Sequence, residues 1–145
     1  MADPRPRYGA QTKARKAALD VLFAADVRGQ GIVDTLTEQR TLGESVVRDL
    51  TTQITLGVAE HLDEIDRRLA ASLTENWTLA RMPSIDRNLA RIAIFELDHT
   101  STPAQAVIAE AVKLAGDLST DDSPAFLNGL LANALASRPP TPDED

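Results

Sequence analysis

The sequence predicts an all-α protein of six or seven helices, and two features of the chain support this fold class. Apolar residues recur at steps of three and four along most of the chain, as they do on the buried face of a helix. No stretch shows sustained alternation of apolar and polar residues, and no Val- or Thr-rich run lies between turn pairs. Strands are therefore not expected.

The first helix is predicted to begin near Thr12, after a flexible basic arm at residues 1–11 that contains two prolines and a glycine. Its apolar face consists mainly of small residues, which let a neighbouring helix approach closely. Gly29-Gln30-Gly31 is predicted to end the helix. The face comprises Ala14, Ala17, Ala18, Val21, Leu22 and Ala25.

The rest of the front half, residues 12–73, contains one short and one long helical segment. A short helix is expected around Val33 to Gln39, closed by Gly43. Residues 47–73 then carry apolar side chains at every third or fourth position. This pattern predicts either one long helix or two helices broken near Gly57 or His61.

The back half, residues 84–137, is predicted to begin with the central helix of the fold. Ser84 is expected to cap a helix over residues 85–98. Between Leu89 and Leu97 this helix is apolar around most of its circumference, which is typical of an element buried on several sides.

Two further helices complete the back half. Thr102, Pro103 and Gln105 predict a capping box at the first of them. Asp122-Ser123 before Pro124 predicts the start of the last helix. The two halves are expected to form a single domain, residues 12–137, and the acidic, proline-rich tail at 138–145 is expected to be disordered. Whether the halves share one core is left open.

The composition excludes several classes of function. The 145 residues contain no cysteine and two histidines, which rules out disulfides and thiolate chemistry and leaves too few ligands for most histidine-built metal sites. His61 is interpreted as a surface histidine. Neither a catalytic nor a phosphate-binding glycine signature is found, so we expect no enzymatic activity, no cofactor and no metal. No apolar run approaches the roughly 20 residues of a membrane span, and no signal peptide is recognisable, so we expect a cytoplasmic protein.

The charges are distributed unevenly. The net charge is −7, but residues 1–28 hold six basic and three acidic side chains, while the remainder holds nine and nineteen. A basic end on an acidic body is typical of either a nucleic-acid contact or a solvated tail. The candidate phosphate contacts are Arg5, Arg7, Lys13, Arg15 and Lys16. The last three lie at the start of the first helix, where free backbone amides also favour anions.

Trp77 and Gly129 each permit two interpretations. Trp77 lies in a polar connection and either pins the junction between the halves or offers a stacking surface to a base, the first being favoured. Gly129 lies inside the last predicted helix, where a glycine costs about 1 kcal/mol and often permits close approach of another backbone. We favour an approach from within the fold over one from a partner.

Four blocks of the sequence, taken together, resemble the NusB family of bacterial transcription antitermination factors, and the resemblance runs from about Thr12 to Leu135. These blocks are Ala14-Arg15-Lys16-Ala17-Ala18-Leu19-Asp20-Val21-Leu22-Phe23, Asn76-Trp77-Thr78-Leu79-Ala80-Arg81-Met82 leading into Ile85-Asp86-Arg87, Ala90-Arg91-Ile92-Ala93-Ile94-Phe95-Glu96-Leu97, and Ala109 to Ala115 with Asp122 to Leu131. The order of the blocks makes a chance likeness improbable.

The resemblance implies a fold of two packed three-helix-like bundles and a role as an RNA-binding protein without enzymatic activity. Proteins of this family bind the ribosomal protein NusE, and the pair recognises single-stranded boxA RNA in ribosomal RNA leader transcripts, which helps RNA polymerase in the elongation complex to pass terminators. Carried onto this chain, the resemblance implies RNA contacts at Lys13, Arg15, Lys16, Asp122 and Phe126, and Arg5 and Arg7 on the basic arm are expected to add further phosphate contacts. The NusE contacts are Phe23 and Asp86.

Three alternatives remain open at the level of the sequence. The chain could be a helical binding module that acts with a separate RNA-modifying enzyme, because similar domains precede RNA methyltransferases. It could be a protein-interaction module whose RNA site has been lost. A homodimer through the alanine-rich first helix is also conceivable.

Overall fold

The computed structural model describes residues 8–42, 48–74 and 76–138, and it confirms the all-α prediction. Within these ranges the chain forms seven α-helices and one 3₁₀ helix, Leu79–Arg81, and contains no strand. The helices are α1 (Ala10–Arg28), α2 (Ile32–Leu42), α3 (Asp49–Glu60), α4 (Leu62–Ser72), α5 (Ser84–His99), α6 (Ala104–Leu118) and α7 (Ser123–Ala136). Among the described residues, no helix is long and apolar enough to cross a bilayer.

Helix α5 lies at the centre, as its nearly all-round apolar surface predicts. It packs against α1, α3 and α4 on the front side and against α6 and α7 on the back side. Its buried apolar side chains belong to a cluster that includes Leu22 of α1, Ile54 of α3, Leu114 of α6 and Leu131 of α7. The two halves therefore share one hydrophobic core, which answers the question that the sequence left open.

Helix α1 begins at Ala10, two residues earlier than predicted, and ends as its glycine predicts. Gly29 adopts a left-handed conformation with φ of 63°, and the amide of Gln30 donates to the carbonyl of Ala25 at 3.0 Å. This geometry closes the last turn of a helix and suits glycine because a side chain there would be strained. Residues 1–7 and 139–145, with most of the predicted arm and tail, lie outside the described residues, as does Gly43.

The long apolar segment at 47–73 is divided into two helices, and the break falls at His61. There the backbone leaves helical geometry, with φ of −109° and ψ of 20°, while the His61 amide still donates to the carbonyl of Gly57. Gly57 itself stays helical. A methyl group on its α-carbon would overlap the ring of Phe95, so this glycine allows α5 to pack directly on the backbone of α3.

Two predicted helix caps are wrong. Ser84 is the first residue of α5, not its cap, and its hydroxyl donates to Asp26 at 3.1 Å. Pro103 occupies the cap position of α6, so Thr102 lies one residue too far out, and its amide donates to the Thr100 hydroxyl instead. Among the described residues, no side chain caps α6.

Gly129 does not mark a close approach within the fold. It lies in α7 on an exposed position, and a β-carbon built on it would meet none of the described atoms within 4 Å. The favoured interpretation of this glycine was therefore wrong, since the surrounding helices leave its surface uncovered.

Candidate nucleic-acid interface

The first two turns of α1 present two of the predicted phosphate-binding cations to solvent. Lys13 is exposed, and Lys16 is half-buried with its ammonium 3.1 Å from the carboxylate of Asp20. The helix starts after Gly9, and the free amides of a helix's first turn favour an anion. Lys13 and the start of α1 can therefore act together on a phosphate group.

Arg15 is placed differently from its neighbours, because its side chain points into the fold. It is 4% exposed and donates two hydrogen bonds to Glu96 of α5, at 2.9 and 2.8 Å. Glu110 of α6 adds a second carboxylate 3.8 Å away and accepts a hydrogen bond from Thr12. The hydrogen bonds to Glu96 raise the pKa of Arg15 above its ordinary value although burial acts in the opposite direction. Arg15 therefore forms an ion pair inside the fold. The prediction that Arg15 contacts phosphate directly was wrong.

Tyr8 ties the start of the described chain to the last turn of α6. Its hydroxyl donates to Asp117 at 2.8 Å, and the ammonium of Lys113 lies 5.4 Å from the centre of its ring. Burial, together with the hydrogen bond to Asp117 and its charge, raises the pKa of Tyr8 to about 12. Residues 1–7, which carry Arg5 and Arg7, lie outside the described residues.

The start of α7 carries the other two predicted RNA contacts. Asp122 is exposed immediately before the helix, and in the described part of the chain its carboxylate makes no capping bond. Phe126 is half-buried against Trp77, with ring centroids 5.1 Å apart. The guanidinium of Arg81 lies 5.6 Å from the centre of the Trp77 ring. Trp77 thus joins the 3₁₀ connection to α7, and it remains 38% exposed beside a cation.

Asp86 does not lie on the surface, where the family resemblance implied a NusE contact. It is 3% exposed, and its two carboxylate oxygens accept hydrogen bonds from Ser119 at 2.6 Å and Ser123 at 2.8 Å. These serines bracket the turn between α6 and α7. Asp86 therefore fixes the turn that presents Asp122, and a direct contact with a partner would require this arrangement to open.

Phe23 is available to a protein partner. It is 40% exposed on α1, and Val27, one turn later, is 68% exposed. Exposed apolar side chains on one helix face are typical of protein-binding surfaces. Next to them Asp26 accepts hydrogen bonds from Asn88 at 2.8 Å and from Arg87 at 3.1 Å, which fastens the end of α1 to α5.

The Asp26 carboxylate shows that this fastening is electrostatic. Burial acts to raise its pKa, but the hydrogen bonds from Asn88, Arg87 and Ser84 and the charge of Arg91 lower it below the ordinary value. The end of α1 beside Phe23 is therefore joined to the start of α5 by several hydrogen bonds and an ion pair.

Sequence reasoning missed two cations of this surface. Lys113 and Arg81 stand alone in the sequence, without neighbouring basic residues, and only the tertiary structure brings them to Tyr8 and Trp77. A cation–π contact between residues four apart, as in Trp77 and Arg81, is the one signal that the sequence offered.

Comparison with known proteins identifies the family. A family model described as the NusB family matches residues 12–136. The transcription antitermination protein NusB of Salinispora tropica is 51% identical over 126 residues, which cover 84% of this chain and 92% of the relative. The chain belongs to the NusB family.

Solved structures of the NusB family share the fold. A T. maritima NusB structure superposes with a TM-score of 0.78 at 28% identity, covering 92% of this chain and 96% of that one. A structure of the antitermination factors NusB and NusE in complex with double-stranded RNA contains a chain with a TM-score of 0.76 at 22% identity, covering 87% and 96% of the two chains. The seven-helix architecture is therefore that of NusB proteins.

Proposed function

We propose that this chain acts with the ribosomal protein NusE, binds single-stranded boxA RNA of ribosomal RNA leader transcripts, and helps RNA polymerase to pass terminators. The observation that carries the proposal is the NusB family match over residues 12–136, nearly the whole described domain. As a member of this family the chain is a transcription antitermination factor and an RNA-binding protein, not an enzyme.

The RNA surface that we propose runs from the start of α1 to the start of α7. The exposed Lys13 and the half-buried Lys16 supply positive charge at one end, and Asp122 and Phe126 lie at the other. The hydrogen bond between Tyr8 and Asp117 connects the two ends, because Asp117 lies in the last turn before α7. Arg5 and Arg7 precede Tyr8 and would reach the RNA from this anchor.

The charge balance favours binding together with a basic partner. The chain carries a net charge of −7, and Asp122 adds a negative charge to the proposed RNA path. Phosphate contacts dominate the affinity of proteins for nucleic acids, so two lysines on α1, one of them paired with Asp20, provide only modest binding. A ribosomal protein with its own cations would supply the missing phosphate contacts, and we propose that NusE docks on the apolar face formed by Phe23 and Val27.

The cellular setting follows from this role. We expect the protein to act in the cytoplasm, within a transcription elongation complex that contains RNA polymerase. Self-association through the alanines of α1 is not favoured, because Ala14, Ala18 and Ala25 are at most 4% exposed and pack inside the chain's own core. Light scattering on the purified chain would show a monomer under this proposal.

Fluorescence anisotropy with labelled boxA RNA tests the proposal. We expect boxA to bind more tightly than a scrambled RNA of equal length, and we expect added NusE to increase the difference. Two salt concentrations separate the electrostatic contribution from base recognition. Equal affinity for both RNAs, with and without NusE, would contradict the proposal.

A further inference from the structure

The two histidines of the chain meet at one point of the fold. His61 lies in the break between α3 and α4, and His99 is the last residue of α5. Their rings are stacked with centroids 3.9 Å apart and an angle of 15° between the planes. They stand far apart in the sequence, so the packing of α3 and α4 against α5 brings them together.

A carboxylate completes this group. Glu64, in the first turn of α4, has one oxygen 3.5 Å from Nδ1 of His61 and the other 3.7 Å from Nε2 of His99. One ligand atom from each of the three side chains can be chosen so that all three lie within 4.8 Å of one another. Glu60 places a second carboxylate 3.9 Å from Nε2 of His61.

The group is accessible and rests on a firm base. The side chains of His61 and His99 are 29% and 25% exposed, and that of Glu64 is 51% exposed, so an ion and its water ligands can reach them. The buried ring of Phe95 lies beneath, 5.8 Å from the His99 ring. The negative charge of Glu64 interacts electrostatically with the guanidinium of Arg68. Arg68 donates two hydrogen bonds to Asp98 instead, at 2.9 and 3.0 Å.

Although the sequence predicted no metal site, we propose that His61, Glu64 and His99 bind one Zn²⁺ ion, with water completing the coordination. Two imidazoles and one carboxylate are a donor set that zinc prefers, whereas Mg²⁺ and Ca²⁺ prefer oxygen ligands alone. Bond lengths near 2.0–2.2 Å place neighbouring donors around a tetrahedral ion about 3.3–3.5 Å apart. One oxygen of Glu64 lies 3.5 Å from His61 and the other lies 3.7 Å from His99, both near this spacing, so a shared ion requires the carboxylate to bind through both oxygens or to turn.

Binding requires the histidine rings to leave their stack. An imidazole nitrogen directs its lone pair in the plane of the ring, so two parallel rings cannot both point at one ion. Rotation about the side-chain torsions would correct this, and both side chains have the exposure to rotate. The change of ring geometry gives the site a spectroscopic signature.

Zinc titration of the full, tag-free chain at neutral pH tests this site. We expect calorimetry to show one ion per chain, and proton NMR to show both histidine ring signals shifting in the same titration. The chain contains only these two histidines, so assignment is direct. His99→Ala and Glu64→Gln should each weaken Zn²⁺ binding by about tenfold or more, while Mg²⁺ should move neither ring signal.

Asp49→Asn is the matched control. Asp49 is an exposed carboxylate in the first turn of α3, as Glu64 is in the first turn of α4, and its loss removes the same charge without touching the histidines. It should leave zinc affinity unchanged. Because the Glu64 side chain is exposed and glutamine has nearly the same shape, Glu64→Gln should fold normally, and circular dichroism verifies this. An unchanged zinc affinity in both ligand variants, or a titration that moves neither histidine signal, would overturn the proposal.

Discussion

The guanidinium of Arg15 and the carboxylate of Glu96 form a buried, two-point ion pair that joins α1 to α5, with distances of 2.9 and 2.8 Å. Both residues are at most 4% exposed. The pair places one cation of the first helix inside the protein, while Lys13 and Lys16 remain outside. We therefore expect Arg15 to affect RNA binding only indirectly, by holding the start of α1 in position.

Replacement of Arg15 by alanine should destabilise the protein more than it affects the electrostatics of RNA binding. Glu96 would be left as an uncompensated buried charge, which costs about 3–5 kcal/mol in the free energy of unfolding. Urea denaturation measures this loss. In the double variant Arg15→Met and Glu96→Leu both charges are removed, so stability should largely return.

The salt dependence of RNA binding distinguishes the two roles of Arg15. In the double variant the slope of log affinity against log salt should match that of the wild type, because no phosphate contact has been lost. A slope lowered by about one, with unchanged stability, would show that Arg15 leaves Glu96 and contacts the RNA.

Lys13→Ala and Asp122→Asn should change RNA affinity in opposite directions. Loss of Lys13 removes one phosphate contact, so binding should weaken and the salt slope should fall by about one. Loss of the Asp122 charge removes a repulsion and should tighten binding by up to about fivefold, since surface charge interactions are worth up to about 1 kcal/mol. Anisotropy at several salt concentrations measures both effects. Equal affinities for wild type and both variants would remove these residues from the RNA surface.

Phe23→Ala should weaken NusE binding by about tenfold without unfolding the chain, because truncation of an interface aromatic costs more than about 1 kcal/mol and this ring is already 40% exposed. Asp86→Asn is the comparison. Its carboxylate holds Ser119 and Ser123, so the change should lower stability and leave the NusE affinity of the folded protein intact. Calorimetry measures NusE binding and urea denaturation measures stability. A loss of NusE binding in Asp86→Asn but not in Phe23→Ala would contradict these separate roles of Phe23 and Asp86.

Two glycine substitutions should have opposite effects on stability. Gly57→Ala forces a methyl group into the ring of Phe95 and should cost about 1–3 kcal/mol. Gly129→Ala meets open space among the described residues and should gain up to about 1 kcal/mol from helix propensity. Thermal denaturation of the two variants measures both shifts. A stabilising Gly57→Ala would contradict the close packing of α5 on α3.

The helices could be predicted from the sequence because their signals are local. The spacing of apolar residues located every helical segment but left residues 47–73 as one helix or two, and Gly29 and Pro124 marked an end and a start that the structure confirms. The predicted caps at Ser84 and Thr102 were wrong because a shift of one residue decides which side chain can reach the free amides in the first turn of a helix. The break at His61 was one of two candidates, because no proline or capping signal in the sequence favours His61 over Gly57 as the end of the helix.

The candidate site was less predictable because its decisive contacts are distant in sequence. Arg15 lies between Ala14 and Ala18 on the apolar side of α1, which hinted at burial, but its partner Glu96 is 81 positions away. Asp86 is similarly paired with serines of the turn between α6 and α7. Charge suggested exposure of Arg15 and the resemblance suggested exposure of Asp86, and only the packing of the helices shows that both charges are satisfied inside.

Terminator read-through in a purified transcription reaction tests the central claim most directly. RNA polymerase, NusE and this chain would be combined on a template with boxA ahead of a terminator, and on a matched template with boxA scrambled. We predict that the chain raises read-through on the boxA template only, and only when NusE is present. Equal read-through with and without the chain on both templates would contradict its role as a boxA-dependent antitermination factor.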